Sequence, residues 1–339
     1  MRCVIKIGSN LLVKEDGKID EEYVMRIARQ VSYVKHLGHQ VVIVSSGARA
    51  GGYGLVRTEG MSISEKQALC AIGQIELMRI YSEKFKIFKM KVAQLLLTRD
   101  DFTNRRRFLN IRNTLISLER FGIVPIVNEN DTVAIDEMKL GDNDTLSAYV
   151  AIGWGADILM LFTTVDGVLN EEGKVIERYK NDEQLLRIGN SRWGTGGIYT
   201  KIEAAKMSSS AGVRAVIMNG KTDALLDFLN GKRIGTEFLP GKKIRARKAW
   251  IGFMTKPQGR IYIDKGAADA LMNGKSLLPV GIIEVKGAFD RGDTVEIIND
   301  DHLIGRGIVD YSIDEVLKIL DGNKKEYDEV CHADNLIIR

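Results

Sequence analysis

Six short apolar runs, at residues 3–7, 41–44, 92–97, 123–127, 158–162 and 215–218, recur along the first two thirds of the chain with stretches of helical length between them. Runs that stay apolar at nearly every position suit strands covered on both faces, which is the condition of a parallel sheet. The intervening stretches carry the helical period. Between residues 20 and 37, Val24, Ile27, Ala28, Val31 and Val34 share one face, acids occupy the first turn and Gly38 supplies a stop. Further helices are predicted over 108–121, 146–154 and 201–211. Repeated βα units of this kind predict an α/β fold, a mostly parallel sheet sandwiched by helices.

The pattern changes after a basic stretch. Residues 232–248 hold seven Lys or Arg against one Glu, +6, so the net charge of +4 leaves −2 for the rest of the chain. Such a run reads first as a solvated linker, with phosphate attraction as the alternative. Beyond it, short strands are predicted at 260–263, 281–285, 294–298 and 304–309, separated by Gly-Asp, Asn-Asp and Lys-Gly turns and interrupted by helices at 265–273 and 313–320. The expectation is a catalytic-sized domain over 1–240, a basic linker at 241–248 and a small β-barrel-like domain over 249–339. At 339 residues the chain is long for a single core.

Composition excludes several classes. No apolar run approaches the roughly 20 residues of a membrane span, and Lys6 interrupts the short apolar N-terminus, so neither membrane insertion nor a leader is predicted and the expected location is the cytoplasm. Cys3, Cys70 and Cys331 are odd in number and far apart, without CxxC spacing, which argues against a disulfide framework or a structural zinc site.

Polar and glycine-rich segments gather at the ends of the apolar runs. Lys6-Ile7-Gly8-Ser9-Asn10 closes the first, and Ser45-Ser46-Gly47-Ala48 closes the second, with Gly51-Gly52 close behind. Asn128-Glu129-Asn130-Asp131 follows the fourth and Thr163-Thr164-Val165-Asp166-Gly167 the fifth. Gly141-Asp142-Asn143-Asp144 and Gly194-Thr195-Gly196-Gly197-Ile198-Tyr199-Thr200-Lys201 each run into a predicted helix. Backbone amides at such ends can hold a carboxylate or phosphate, and a carboxylate such as Asp144 is favoured at a helix start. Each segment alone would also serve as an ordinary turn, cap or edge lysine. Their gathering at the carboxyl edge of one sheet predicts a ligand site. Neither GxxxxGK[ST] nor GxGxxG occurs, so a P-loop NTPase and a Rossmann dehydrogenase are not supported.

Taken in order, KxGSN, SSGA, NEND, GDNDxLSA and GTGGxxTK resemble the glutamate 5-kinases of the amino acid kinase family over essentially the whole chain. The segments 274–279, 291–293 and 332–336 are similar to the PUA domain that many bacterial members carry. The resemblance implies ATP-dependent phosphorylation of the γ-carboxylate of L-glutamate, with Mg²⁺ held through the ATP phosphates and no metal ligands from the protein. It implies catalytic roles for Lys6, Lys201 and Asp144, and glutamate binding by Ser46, Gly47, Ala48, Asp131 and Asn143. ATP would meet Lys6, Gly8, Ser9, Thr163, Thr164, Asp166 and the loop Thr195, Gly196, Gly197, Ile198, Tyr199, Thr200 and Lys201. One departure stands out: Thr164 occupies the position where the family usually has an acid, and Asp166 lies two residues on. The resemblance further implies a homo-oligomer (dimer or tetramer), feedback inhibition by proline and a functional link to glutamyl phosphate reductase. The alternatives are a related small-molecule kinase, acting on acetylglutamate or uridylate, and an RNA-binding protein working through the PUA-like domain.

The chemistry fits the residue types. A γ-carboxylate, which ordinarily titrates near pH ~4.3, is already ionised at neutral pH and requires no general base. The difficulty is bringing it against a polyanionic phosphate, which positive charge and positioning overcome. Asp131 suits the substrate ammonium, and the amides of Ser46, Gly47 and Ala48 suit its α-carboxylate. An N-acetylated substrate would leave Asp131 without its cation.

Overall fold

The structure is a computed structural model that describes residues 1–56, 62–134, 143–180, 197–242, 244–322 and 328–338. The chain divides into two compact units, the first comprising Met1–Asp101 and Arg105–Lys243, the second Phe102–Asn104 and Ile244–Arg339.

The first unit is built on strands β1 (Arg2–Ile7), β2 (Gln40–Ser45), β3 (Val92–Leu97), β4 (Val124–Glu129), β5 (Ile158–Thr163), β6 (Arg214–Asn219) and β7 (Thr236–Phe238). Their order is β3-β4-β2-β1-β5-β6-β7, and every pairing is parallel except that of β7 with β6. The six predicted runs are the six parallel strands; β7, only three residues long, is an addition at the edge. Ile7 of β1 lies opposite both Ser45 of β2 and Phe162 of β5, so the carboxyl ends of the three central strands are level. From β1 the chain builds toward β2 on one side and later toward β5 on the other, which opens a crevice above β1 of the kind that binds ligands in open α/β sheets.

Side chains alternate across a strand, so neighbouring residues of β1 face opposite layers. Cys3, Ile5 and Ile7 join a core with Val24 and Ile27 of the helix Glu21–His36 and Leu77 and Tyr81 of the helix Ile63–Ile87. Lys6 therefore points to the other layer, where the helix Asn143–Trp154 packs on β1, β2, β4 and β5 and the helix Ile198–Ser210 packs on β5, β6 and β7. Both long helices of the first layer are capped. Asp20 Oδ1 accepts from the amides of Glu22 and Tyr23, each at 3.1 Å, and Ser62 with Glu65 forms a reciprocal capping box.

The glycine pair Gly51-Gly52, expected to lend amides to a ligand, instead serves packing. Both lie within the helix Ala48–Leu55, which crosses Ile63–Ile87 at backbone contact. A Cβ on Gly73 would stand 1.8 Å from the Ala48 carbonyl oxygen, and one on Gly52 would stand 2.0 Å from that of Leu69. The helices can approach so closely only without side chains at the crossing. Gly73→Ala is accordingly expected to lower stability by about 1–3 kcal/mol, the usual effect of overpacking, seen as a reduced thermal midpoint. An unchanged midpoint would mean that the crossing is not held at this distance.

In the second unit, β8 (Gly259–Ile263), β9 (Ile282–Gly287), β10 (Thr294–Asn299), β11 (His302–Ile308) and β12 (Leu336–Ile338) form one sheet in the order β12-β11-β10-β8-β9. The β8 and β10 pair is parallel and the others are antiparallel. Asp300 and Asp301, both at positive φ (46° and 60°), make the two-residue turn between β10 and β11. Ile261, Val295, Ile297, Val316 and Cys331 form its core. All three cysteines are buried, and burial pushes the Cys3 thiol up to about 12. Burial likewise raises the Cys331 thiol, and thiols held up in this way are inert at neutral pH. Among the described residues, no helix is long and apolar enough to cross a membrane.

Candidate active site

Lys6, Asp144 and Lys201 meet above the end of β1. Lys6 Nζ lies 2.6 Å from Asp144 Oδ1, and Lys201 Nζ lies 3.1 Å from Asp144 Oδ2. Their exposures are 1%, 0% and 7%, so all three charges are held away from bulk water. Burying an ion costs several kcal/mol of lost hydration, and a carboxylate shared between two ammonium groups offsets that cost for both. Asp144 sits in the first turn of Asn143–Trp154, where the helix dipole favours it. Lys201 sits in the first turn of Ile198–Ser210, where the same dipole disfavours a cation. A lysine placed against its helix dipole and buried next to another lysine is a local conflict of the sort that functional sites retain. Thr200 Oγ1 stands 2.7 Å from Asp144 Oδ2 and 2.9 Å from the Gly197 carbonyl oxygen, within reach of donating to either.

A second cluster joins the ends of β2 and β4. Asn143 Nδ2 donates to Ser46 Oγ at 2.9 Å and to Asn128 Oδ1 at 3.1 Å, and Asn128 Nδ2 donates to Gln74 Oε1 at 2.8 Å. Ser46 is followed by Gly47, whose φ of 100° is left-handed and turns the chain into the helix Ala48–Leu55. Behind this turn Ser45 Oγ is 3.0 Å from Tyr81 Oη, a phenol that burial holds well above its usual range and so keeps neutral. Asp131, half-buried, lies in the turn that follows β4. Of the predicted substrate residues, Ser46 and Asn143 are thus in direct contact, and Asn143 is the chain neighbour of Asp144. Asn128 belongs to a polar segment predicted at the ligand edge but carries no predicted role of its own, and Gln74 is in none of the predicted segments. Gln74 had one available signal: it falls in the buried stripe of its helix with Cys70, Leu77 and Tyr81, where a polar amide needs partners.

The predicted nucleotide residues occupy the neighbouring strand ends. Gly8 caps the one-turn helix that Ser9 begins directly after β1. Thr163 is the last residue of β5, and its carbonyl accepts from the Gly220 amide at 2.9 Å. Thr164 follows, half-buried. Asp166 is exposed, accepts from Asn219 Nδ2 at 2.9 Å, and borders a cleft of about 730 Å³ that Arg214, Thr222 and Phe228 also line. Gly197, Ile198, Tyr199 and Thr200 lead into Lys201 at the start of their helix. Gly141, Asp142, Thr195 and Gly196 lie outside the described residues.

The amino acid kinase family matches this chain over residues 1–219, and the PUA domain matches it over residues 259–331. The chain belongs to the amino acid kinase family. Among its curated relatives, the glutamate 5-kinase of Thermotoga maritima is 49% identical over 355 residues, covering 99% of each chain. That of Kosmotoga olearia is 46% identical over 352 residues, covering 99% of this chain and 98% of the other. That of Thermoanaerobacter sp. (strain X514) is 44% identical over 363 residues, covering 100% of this chain and 98% of the other. The amino acid kinase match contains every residue of the lysine-aspartate trio and of the amide cluster, so the whole candidate site lies within the family region.

Proposed function

We propose that this amino acid kinase transfers the γ-phosphoryl group of ATP to the γ-carboxylate of L-glutamate, giving γ-glutamyl phosphate and ADP, the step that opens proline biosynthesis. The observation that carries the proposal is the pair of buried lysines held on one carboxylate at the ligand edge of the sheet. Relatives bearing the name glutamate 5-kinase over nearly their full length support the choice of acceptor.

Lys6 and Lys201 flank the transferring group, and their ammonium charge offsets the repulsion between an incoming carboxylate and the phosphate oxygens. Asp144 keeps both side chains extended toward that point, so their orientation is set before the substrates arrive. One oxygen of the γ-carboxylate forms the new bond to phosphorus as the bond to the ADP oxygen breaks, and the electron pair leaves with ADP. No proton moves. Asp144, the carboxylate between the lysines, already holds two cations, and Mg²⁺ would enter on the ATP phosphates. When bound, it would neutralise phosphate charge.

The other end of glutamate falls to the second cluster and the turn beside it. Asp131→Ala and Asn143→Ala are expected to raise the KM for glutamate while leaving that for ATP nearly intact, because they hold parts of the substrate remote from the transferring group. Equal losses for both substrates would point to a structural turn. Proline shares the α-carboxylate and ammonium but has no γ-carboxylate, so it should raise the apparent KM for glutamate. Initial rates at several concentrations of both would reveal this, and inhibition that persists at saturating glutamate would rule out a shared site.

A further inference from the structure

The amide cluster has a direction that no single residue in it reveals. Asn128 Oδ1 accepts from the backbone amide of Glu129 at 2.9 Å, and a backbone amide can only donate, so the Asn128 side chain has one possible orientation. Its Nδ2 must then face Gln74, which fixes the Gln74 atom at 2.8 Å as the carbonyl oxygen. Its Oδ1 must likewise receive Asn143 Nδ2 at 3.1 Å. One backbone N–H thereby sets three side-chain amides. What remains is one donor at one end, Gln74 Nε2, and one acceptor at the other, Asn143 Oδ1. Both are inaccessible to solvent, and neither has a hydrogen-bond partner among the described residues.

Buried amide groups left in this state are costly and uncommon, and Gln74 is 92% buried, being 8% exposed. It is also firmly placed. It follows Gly73, the residue at the backbone crossing of the helices Ala48–Leu55 and Ile63–Ile87, so its backbone is held in place there. An unused donor and an unused acceptor on either side of a single amide have the polarity that the carboxylate and ammonium on the α-carbon of an amino acid require. Asn143 adjoins Asp144 and therefore the phosphoryl lysines, whereas Gln74 is one amide further away.

We infer that Gln74 is a specificity-determining residue whose Nε2 donates to the substrate α-carboxylate, while Asn143 Oδ1 accepts from the substrate ammonium. The inference rests on the reading of the site as one for glutamate. It adds a residue from the helix Ile63–Ile87 to the Ser46 to Ala48 turn as a second grip on the α-carboxylate, and it explains why an amide sits in an otherwise apolar stripe.

Gln74→Glu tests it with little change of shape, because one glutamate oxygen can still accept from Asn128 Nδ2 while the other presents negative charge where the donor stood. Kinetics would be measured on the full chain with L-glutamate and with its α-carboxamide, which keeps the ammonium and γ-carboxylate. The expected result is a fall in kcat/KM for glutamate of about 10- to 100-fold, the worth of a hydrogen bond to a charged group. The α-carboxamide should lose far less, so that the preference between the two compounds shifts by most of that factor, with the KM for ATP unchanged. Losses equal for both compounds, or shared with ATP, would overturn the assignment and leave Gln74 a packing residue. Should the Glu variant fail to fold, Gln74→Met removes the donor at similar volume, and the same shift in preference is required of it. A wild-type protein that turns over neither compound would instead sink the underlying reading of the site.

Discussion

Asp144→Asn is expected to be both unstable and inactive. The substitution leaves Lys6 and Lys201 buried without the carboxylate charge that both contact. Removing one partner of a buried ion pair costs about 3–5 kcal/mol, because the remaining charge has no water to return to. Here two lysines are affected, and their mutual repulsion adds to the loss. For a chain of this size each kcal/mol lowers the thermal midpoint by about 2–4 °C, so a drop on the order of 10 °C is expected alongside a loss of turnover. Calorimetry and steady-state rates on the same preparation would check both. A variant with the wild-type midpoint and near wild-type turnover would show that Asp144 does not hold the lysines.

Lys201→Ala should separate catalysis from stability. Its removal leaves Asp144 paired with Lys6 at 2.6 Å, so no buried charge is stranded, and the midpoint should change far less than in Asp144→Asn. On the proposed mechanism the lost ammonium acts mainly on charge in the transition state, where deleting one such donor typically costs about 10²- to 10³-fold in turnover. The effect should appear in kcat, with a smaller change in the KM for ATP. Turnover within a few-fold of wild type would remove Lys201 from the phosphoryl site.

The contrast between these residues and Gln74 shows what the sequence made legible. Lys6 stood out because a lysine inside a buried strand contradicts its surroundings, and Asp144 because it opens an apolar helix within a polar motif. The strand pattern that placed them was equally plain, since parallel strands covered on both faces carry an unbroken apolar signal. β7 gave no such signal, being three residues long at the sheet edge. Gln74 lies 54 residues from Asn128 in the chain, and only the fold brings them within 2.8 Å. In sequence it reads as one polar residue on a helix face. Gly51 and Gly52 misled in the opposite sense, because glycine before a helix and glycine at a helix crossing look alike until the second helix is in place. Thr164 follows β5 directly, and Asp166 two residues later accepts from Asn219 at the end of β6, a pairing that the sequence does not reveal.

The central claim is that a carboxylate is the phosphoryl acceptor, and its product is an acyl phosphate that hydroxylamine converts to a hydroxamate. The most direct measurement is ATP- and Mg²⁺-dependent hydroxamate formation, followed together with ADP release, using L-glutamate, N-acetylglutamate and uridylate in parallel. The account predicts γ-glutamyl hydroxamate and matching ADP with glutamate, and little of either with the other two. ADP release favouring N-acetylglutamate or uridylate, or ADP without hydroxamate from glutamate, would contradict it.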